Sequence, residues 1–502
     1  MEFFMDSSAC LSCAGFSDAP KPVQGGAGAY GLDMPAGPPS VGVLALTSPG
    51  FSLRWNIEAP LGTPTFVTYS FSNARSSYSN FFDSQSFASW LPDQKGHVRQ
   101  AFDLWAAASG IVFLEVPDEE IGQIRVSLVD LTGQFNAVGQ PLSGYAYRPS
   151  LINADNATRV DYDTLGGDIF LNSAFYANNA TAFTPGQRGF SILLHEIGHA
   201  IGFNHPFDGM PRSDPTLDNG RYTVMSYNRP DDTLALGSLD IEASRLYYGA
   251  SDRDYLWDPT RLVLTQYGTE GNDALMGTEL DDRFETFGGD DQIFGGPGND
   301  WIYAGYGNDR LSGGPGDDIL DGAWGLDVAV FPGPRERYLL ASTPTGIEVR
   351  DTIASGEGVD QLASIERLHF KDGILAFDAE GNAGQVFRLY QAAFGRMPDT
   401  PGLSHNIRLA DQGVSLDQLA AAFLGSPEFG RIYPNWLSDT VLVDQLYLNV
   451  LDRRADAAGL AGWLERLEEG SWTRSEMLIG FSESPENIQR LASMIGEGIW
   501  MV

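Results

Sequence analysis

The chain has 502 residues, 43% of them hydrophobic, which is length for about three domains with well-formed cores. Its 31 Lys and Arg face 66 Asp and Glu, a net charge of −35. That argues against nucleic acid or an anionic membrane surface as a partner and makes calcium the natural counter-ion. No apolar run of about 18 residues suggests a membrane span, and Met1 to Asp6 lacks the basic and apolar segments of a secretory signal, so any export uses another route.

In chain order, residues 1–42 read as a flexible leader or propeptide, being rich in Gly, Pro and Ala without periodicity. Both cysteines, Cys10 and Cys13, fall there, so the folded part has no disulfide. The pair reads as part of a disordered leader, with a metal-capping, redox or lipid role as alternatives. Order is expected from near Val43. A loop enters a strand over Gly62–Phe71. Val98, Phe102, Trp105 and Ala106 give Gly96–Ser109 helical spacing. Strands are expected at 112–116, 124–128, 144–147 and 167–172, followed by a helix from near Gly186.

That helix leads into His195-Glu196-Ile197-Gly198-His199-Ala200-Ile201-Gly202-Phe203-Asn204-His205, which holds three of the six histidines. His195 and His199, at i and i+4, share one helix face and converge on one ion. Glu196 is placed to act on a metal-bound water. Gly202 tolerates the left-handed conformation that stops the helix and returns His205 as third ligand. Three protein ligands leave one position for water, the mark of a catalytic zinc. Downstream comes Tyr222-Thr223-Val224-Met225-Ser226-Tyr227.

From Gly268 to Val330 the chain falls into seven uninterrupted nonapeptides, with aspartate sixth in each: Asp273, Asp282, Asp291, Asp300, Asp309, Asp318 and Asp327. The eighth position is apolar throughout. This period describes a calcium-binding RTX β-roll, in which six residues turn and three form a strand, so that aspartates 18 apart stack. Turn glycines (Gly289, Gly296, Gly298, Gly305, Gly307, Gly314 and Gly316) permit positive φ and expose carbonyl oxygens. The carboxylates complete oxygen cages for several structural Ca2+. Fourteen acidic residues against two arginines over 268–330 make folding follow calcium. Leu280 stands where glycine is usual and the third repeat begins Thr286-Phe287, which leaves the ion count open.

Residues 328–378 carry short alternating strands, and Leu362–Gly373 is expected to close the roll, with His369 a packed strand residue. Residues 385–490 repeat internally with a period of about 57: Leu389-Tyr390 realigns with Leu446-Tyr447, and Ser426-Pro427-Glu428 with Ser484-Pro485-Glu486. Each unit reads as two or more amphipathic helices. They resemble a helical domain found near the ends of secreted RTX and surface-layer proteins. A docking module for a surface-layer or other cell-surface component is one reading of the pair. A passive export or folding appendage is the other.

Histidine motif, Met-containing turn and roll, in that order, resemble the serralysin-type metzincin RTX metalloproteases over residues 43 to about 378. The resemblance implies an α+β zincin (metzincin) domain over 43–250 and a parallel β-roll with capping strands over 251–380; with the all-α tandem repeat over 381–502, which departs from that family's usual architecture, the chain is expected to be multidomain. It implies one catalytic Zn2+ on His195, His199 and His205, with Met225 as an apolar floor beneath it. Tyr227 becomes an additional, swinging ligand that assists catalysis, and Glu196 the general base of peptide hydrolysis. An edge strand beside the cleft would pair with an extended peptide. The resemblance also implies a secreted, extracellular or cell-surface protein exported by type I machinery that reads a C-terminal signal, with which Gly498–Val502 is compatible. Two competing functions stay open: a surface-layer-associated binding protein with a vestigial zinc domain, and a calcium-binding structural protein whose zinc only staples the fold.

Overall fold

A computed structural model describes residues 39–502, apart from 48–52, 75–84, 118–121, 137–138, 155–156, 162–163, 209–210, 229–232, 251–253, 355 and 435. The expected leader up to residue 38, with Cys10 and Cys13, lies outside the described residues. The chain forms two compact units, one running to Ala323 and including Ile353–Gln361, the other made of Trp324–Thr352 and Leu362–Val502.

In the first unit, helix α1 (Val41–Thr47) begins two residues ahead of the boundary read from composition, and a Cβ at Gly42 would press on the Leu239 side chain. Strands β1 (Thr65–Ser72), β2 (Phe87–Ala88), β3 (Ile111–Glu115), β4 (Ile124–Val129) and β5 (Gly144–Ala146) follow. A hairpin of β6 (Leu151–Ala154) and β7 (Ala157–Val160) precedes β8 (Ile169–Asn172). The main sheet has the order β3-β1-β4-β8-β5, with β2 added against β4. The first four of these strands run parallel, and β5 is an antiparallel edge. Near-continuous burial of β1 and β4 is what a parallel sheet covered on both faces requires.

Helix α2 (Pro92–Ala108) starts with Pro at its first turn, where the missing N–H costs nothing, and Gln94 Oε1 accepts the Leu91 N–H at 3.0 Å. It buries Val98, Ala101, Phe102 and Trp105 in one stripe. Short helix α3 (Ser173–Tyr176) is capped by Asn172. Helix α4 (Arg188–Ala200) carries His195, Glu196 and His199, and α5 (Ser238–Tyr248) completes the region. The Trp105 indole donates to the Leu194 carbonyl at 3.1 Å, which fixes α4 against α2. Carbonyls at the α4 C-terminus, which have no partner within the helix, accept from Trp55 Nε1 at Ala200 (3.0 Å) and from the Tyr248 hydroxyl at Ile201 (2.7 Å).

The same unit contains most of the roll. Strands Ala274–Met276, Gln292–Phe294 and Arg310–Ser312 pair in parallel, as do Asp282–Glu285, Trp301–Tyr303 and Ile319–Asp321. The register is 18 residues, stacking Leu275, Ile293 and Leu311, and likewise Phe284, Ile302 and Leu320. All six are buried. The roll is continuous with the β1 region, since Thr68 Oγ1 donates to Glu279 of the second repeat. The compact unit runs through residue 250.

In the second unit Val328–Val330 pairs in parallel with Arg367–Phe370, which runs antiparallel to Gly373–Ala376. His369 lies in that strand. Ile499–Met501 adds to Gly373–Ala376 as a further antiparallel strand, so the last residues of the chain are part of a sheet. Among the described residues the helical region has eight helices, four per repeat: Asn382–Phe394, Thr400–Asp411, Leu416–Leu424 and Pro427–Ile432, then Asp439–Leu451, Ala457–Glu468, Arg474–Ser482 and Pro485–Ile495. Equivalent caps recur, Asp399 with Asp456 and Ser426 with Ser484. The copies share one core, and buried Arg388 of the first ion-pairs with Glu483 of the second at 2.5 Å.

Candidate functional site

Helical spacing puts His195 and His199 one turn apart. Helix α4 ends at Ala200, and Gly202 follows at φ +105°. A Cβ there would collide with the Leu53 carbonyl. The reversed chain is held by the Asn204 N–H on Leu46 O of α1 (2.9 Å), which delivers His205. The three Nε2 atoms are each 3.2 Å from the other two, and all three side chains are buried.

The protonation state follows from the other ring nitrogens. His195 Nδ1 is 2.8 Å from Val224 O, and His199 Nδ1 is 2.7 Å from Phe203 O. A carbonyl can only accept, so both Nδ1 atoms carry the proton. His205 Nδ1 is 2.7 Å from Asp208 Oδ2, which fixes the same tautomer beside a carboxylate. In the neutral rings three Nε2 lone pairs therefore face one another at contact distance. That arrangement is repulsive alone and fits a divalent cation of the kind that takes imidazole ligands.

Glu196 is buried next to this trio on α4. Met225 is fully buried beneath the helix, and a Cβ at Gly198 would collide with its Sδ, so a residue without a side chain is needed there. Tyr227 is half exposed, and its ring centroid lies 4.5 Å from that of His205 and 5.7 Å from that of His195. Buried Asp240 of α5 accepts from Thr223 Oγ1 (2.6 Å), Val224 N (2.8 Å) and Gly237 N (2.8 Å). It thereby fixes the turn whose Val224 carbonyl orients His195. The sequence reading missed Asp208 and Asp240. Asp208 had a local signal, a carboxylate three residues after a ligand candidate, and Asp240 had none.

Six of the roll's aspartates, Asp273, Asp282, Asp291, Asp300, Asp309 and Asp318, stand in columns. Oδ1 of Asp291, Asp300, Asp309 and Asp318 accepts the backbone N–H of the aspartate 18 residues earlier, at 2.8 Å in each case. Asp282 instead accepts from Thr278, and Asp273 from Thr269. Asp327 donates its own N–H to Glu366 Oε2 at 2.9 Å. Gly289, Gly296, Gly298, Gly305, Gly307, Gly314 and Gly316 all have positive φ, between +99° and +155°. Asp282 Oδ1 and the Oδ2 atoms of Asp291, Asp300 and Asp318 are buried with no hydrogen-bond partner among the described residues. Buried carboxylate oxygens without donors are costly, and they suit a hard cation that takes oxygen ligands. In the cation-free chain, burial and then neighbouring carboxylates push Asp291 and Asp318 up to about 7 and Asp309 to about 6.

Comparison with known proteins agrees with these features. Residues 267–302 and 294–329 match the RTX calcium-binding nonapeptide repeat (4 copies), which marks the roll as calcium-binding. Residues 420–491 match the domain of unknown function (DUF4214). Serralysin of Proteus mirabilis is 28% identical over 243 residues, 46% of this chain and 48% of that one. Serralysin A of Dickeya chrysanthemi is 26% identical over 44% of this chain and 45% of its own. Metalloprotease AprA of Pseudomonas entomophila is 26% identical over 38% of each. The chain thus spans less than half the length of these curated relatives. Extracellular lipase LipA from Serratia marcescens shares a local likeness, 20% identical over 23% of this chain and 17% of that one, with a TM-score of 0.16. The relationship to serralysin-type RTX metalloproteases is carried by the curated sequences together with the repeats.

Two outcomes are expected. Asp208→Asn removes the charge behind His205, and zinc affinity should fall about 10- to 100-fold in a chelator competition; an unchanged affinity would show that Asp208 is a bystander. The second concerns pH. Aspartates whose folded pKa is raised above the unfolded value of about 3.9 bind more protons folded than unfolded. Their contribution is therefore present in acid and lost as pH rises through about 6 to 7. Without calcium, β-structure measured by circular dichroism should decline between pH 5 and 8, and calcium should restore it at pH 8.

Proposed function

We propose that the chain is a secreted, calcium-stabilised zinc endopeptidase that cleaves extracellular or cell-surface proteins. The observation that supports this most is the convergence of three neutral imidazole nitrogens beside a buried glutamate and a half-exposed tyrosine. A zinc ion held by His195, His199 and His205 would supply Lewis acidity and a water of lowered pKa. Glu196 takes the proton of the attacking water and passes it to the leaving amide nitrogen, so that one carboxylate serves as base and then as acid. The Tyr227 hydroxyl, half exposed beside the three histidines, donates to the oxygen that becomes negative as the carbonyl is attacked. Met225 and Asp240 hold the floor and the turn and touch no substrate.

Antiparallel edge strand β5 lies against α4: a Cβ at Gly144 would come 3.4 Å from Ile192 Cγ2. A substrate segment added to its free edge would be gripped by main-chain hydrogen bonds, which favours unfolded substrates and broad sequence tolerance. On this reading this part of the chain is an α+β zincin of the metzincin arrangement. Export fits the relatives and the calcium-dependent roll, and no helix among the described residues is long and apolar enough to cross a membrane.

The test is hydrolysis of unfolded casein in millimolar calcium by the wild-type chain and by Glu196→Gln. The variant should keep its zinc and lose about 100-fold or more of the rate, the usual contribution of a positioned acid–base group. Comparable turnover by zinc-loaded Glu196→Gln would remove Glu196 from the chemistry.

A further inference from the structure

The nonapeptide period ends at Val330, yet the column of aspartates to which Asp318 belongs does not end with Asp318. Its N–H donates to Asp360 Oδ1 at 3.1 Å, 42 residues away in sequence. Three further contacts that link the two preceding turns of this column recur there. Between the turns 295–300 and 313–318, the Asp317 N–H donates to Asn299 Oδ1 (2.9 Å), the Gly298 N–H to Pro315 O (3.0 Å) and the Ile319 N–H to Asp300 O (2.9 Å). Between 313–318 and 356–360, the Val359 N–H donates to Asp317 Oδ1 (2.9 Å), the Gly316 N–H to Glu357 O (3.3 Å) and the Gln361 N–H to Asp318 O (2.8 Å). Gly316 is pressed against Gly298 O and Gly358 against Gly316 O, each at positive φ where a Cβ would collide. Gly356-Glu357-Gly358-Val359-Asp360 is therefore a further turn in register, reached after the chain has left the roll and come back.

The chemistry of the returned turn is that of a cation site. Asp318 and Asp360 are 1% and 3% exposed, and Asp318 Oδ2 has no hydrogen-bond partner among the described residues. Glu357, 5% exposed, adds a carboxylate where the neighbouring turns carry Pro297 and Pro315. The charged neighbours that act on Asp360 are Asp318, Glu357 and Asp317, and each disfavours its ionisation. Asp327, by contrast, donates to Glu366, and the residue after Glu366 is Arg367, a buried guanidinium paired with Asp378 and Asp411. The groups that act most on Asp318 and Asp360 are carboxylates and backbone N–H donors.

We infer that turns 313–318 and 356–360 together bind one additional divalent cation, calcium by its all-oxygen donors, outside the span of the nonapeptide repeats. The inference stands on the column geometry and holds whether or not the histidine site hydrolyses peptides.

Calcium bound per chain, measured by flow dialysis on the full-length protein, provides the test. Asp360→Asn keeps the oxygen that receives the Asp318 N–H and removes the charge. It should bind one calcium fewer than the wild type, while Glu348→Gln, at a half-buried carboxylate paired with Arg350, binds the full number. Equal stoichiometry in wild type and Asp360→Asn overturns the inference. Should Asp360→Asn not fold in calcium, Glu357→Gln keeps the Glu357 carbonyl and is read the same way: one ion lost supports the site, none lost overturns it.

Discussion

Three imidazole lone pairs aimed at one point, with a carbonyl or carboxylate behind each ring, are the constraint around which the first unit is arranged. Such a cluster is unfavourable unless a cation fills it, so the surrounding structure has to hold it together in advance. Each support has a named source. Trp105 and Trp55 fix helix α4 at two carbonyls, Leu46 receives the chain that returns His205, and Asp240 clamps the turn that orients His195. Gly202 and Gly198 are glycines because a Leu53 carbonyl and the Met225 sulfur occupy the space of a side chain. Preorganised ligands leave less ordering to be done when the metal binds.

The roll meets the same problem with the opposite chemistry. There the clustered groups are carboxylates with buried, donorless oxygens, and the repulsion is spread along a column. Neither site is comfortable without its cation, and the two lie in one compact unit linked through Thr68 and Glu279. Calcium is therefore tied to the integrity of the sheet on which the histidine helix is built.

How much could be read from the sequence depended on how local the signal was. The histidine trio is legible because i, i+4 spacing and a glycine stop are properties of one helix and one turn. The seven repeats are legible because a period of nine survives degraded members such as the one with Leu280. Asp240 was not legible, since its value lies in a turn 16 residues away in sequence that only folding brings to it. Asp360 was hidden because a long excursion replaces the 18-residue step by one of 42, which destroys the periodicity while leaving the hydrogen bonds intact. The helical repeats were recognised as a pair, but their four helices apiece were not, because the short helices Pro427–Ile432 and Leu416–Leu424 carry too few residues to show a face.

The most direct measurement is X-ray absorption at the zinc edge on the calcium-folded, zinc-loaded chain. The account predicts one zinc per chain, coordinated by three imidazole nitrogens and at least one light atom from solvent, without sulfur. Zinc bound through sulfur, or a coordination shell closed by four protein ligands, would contradict it.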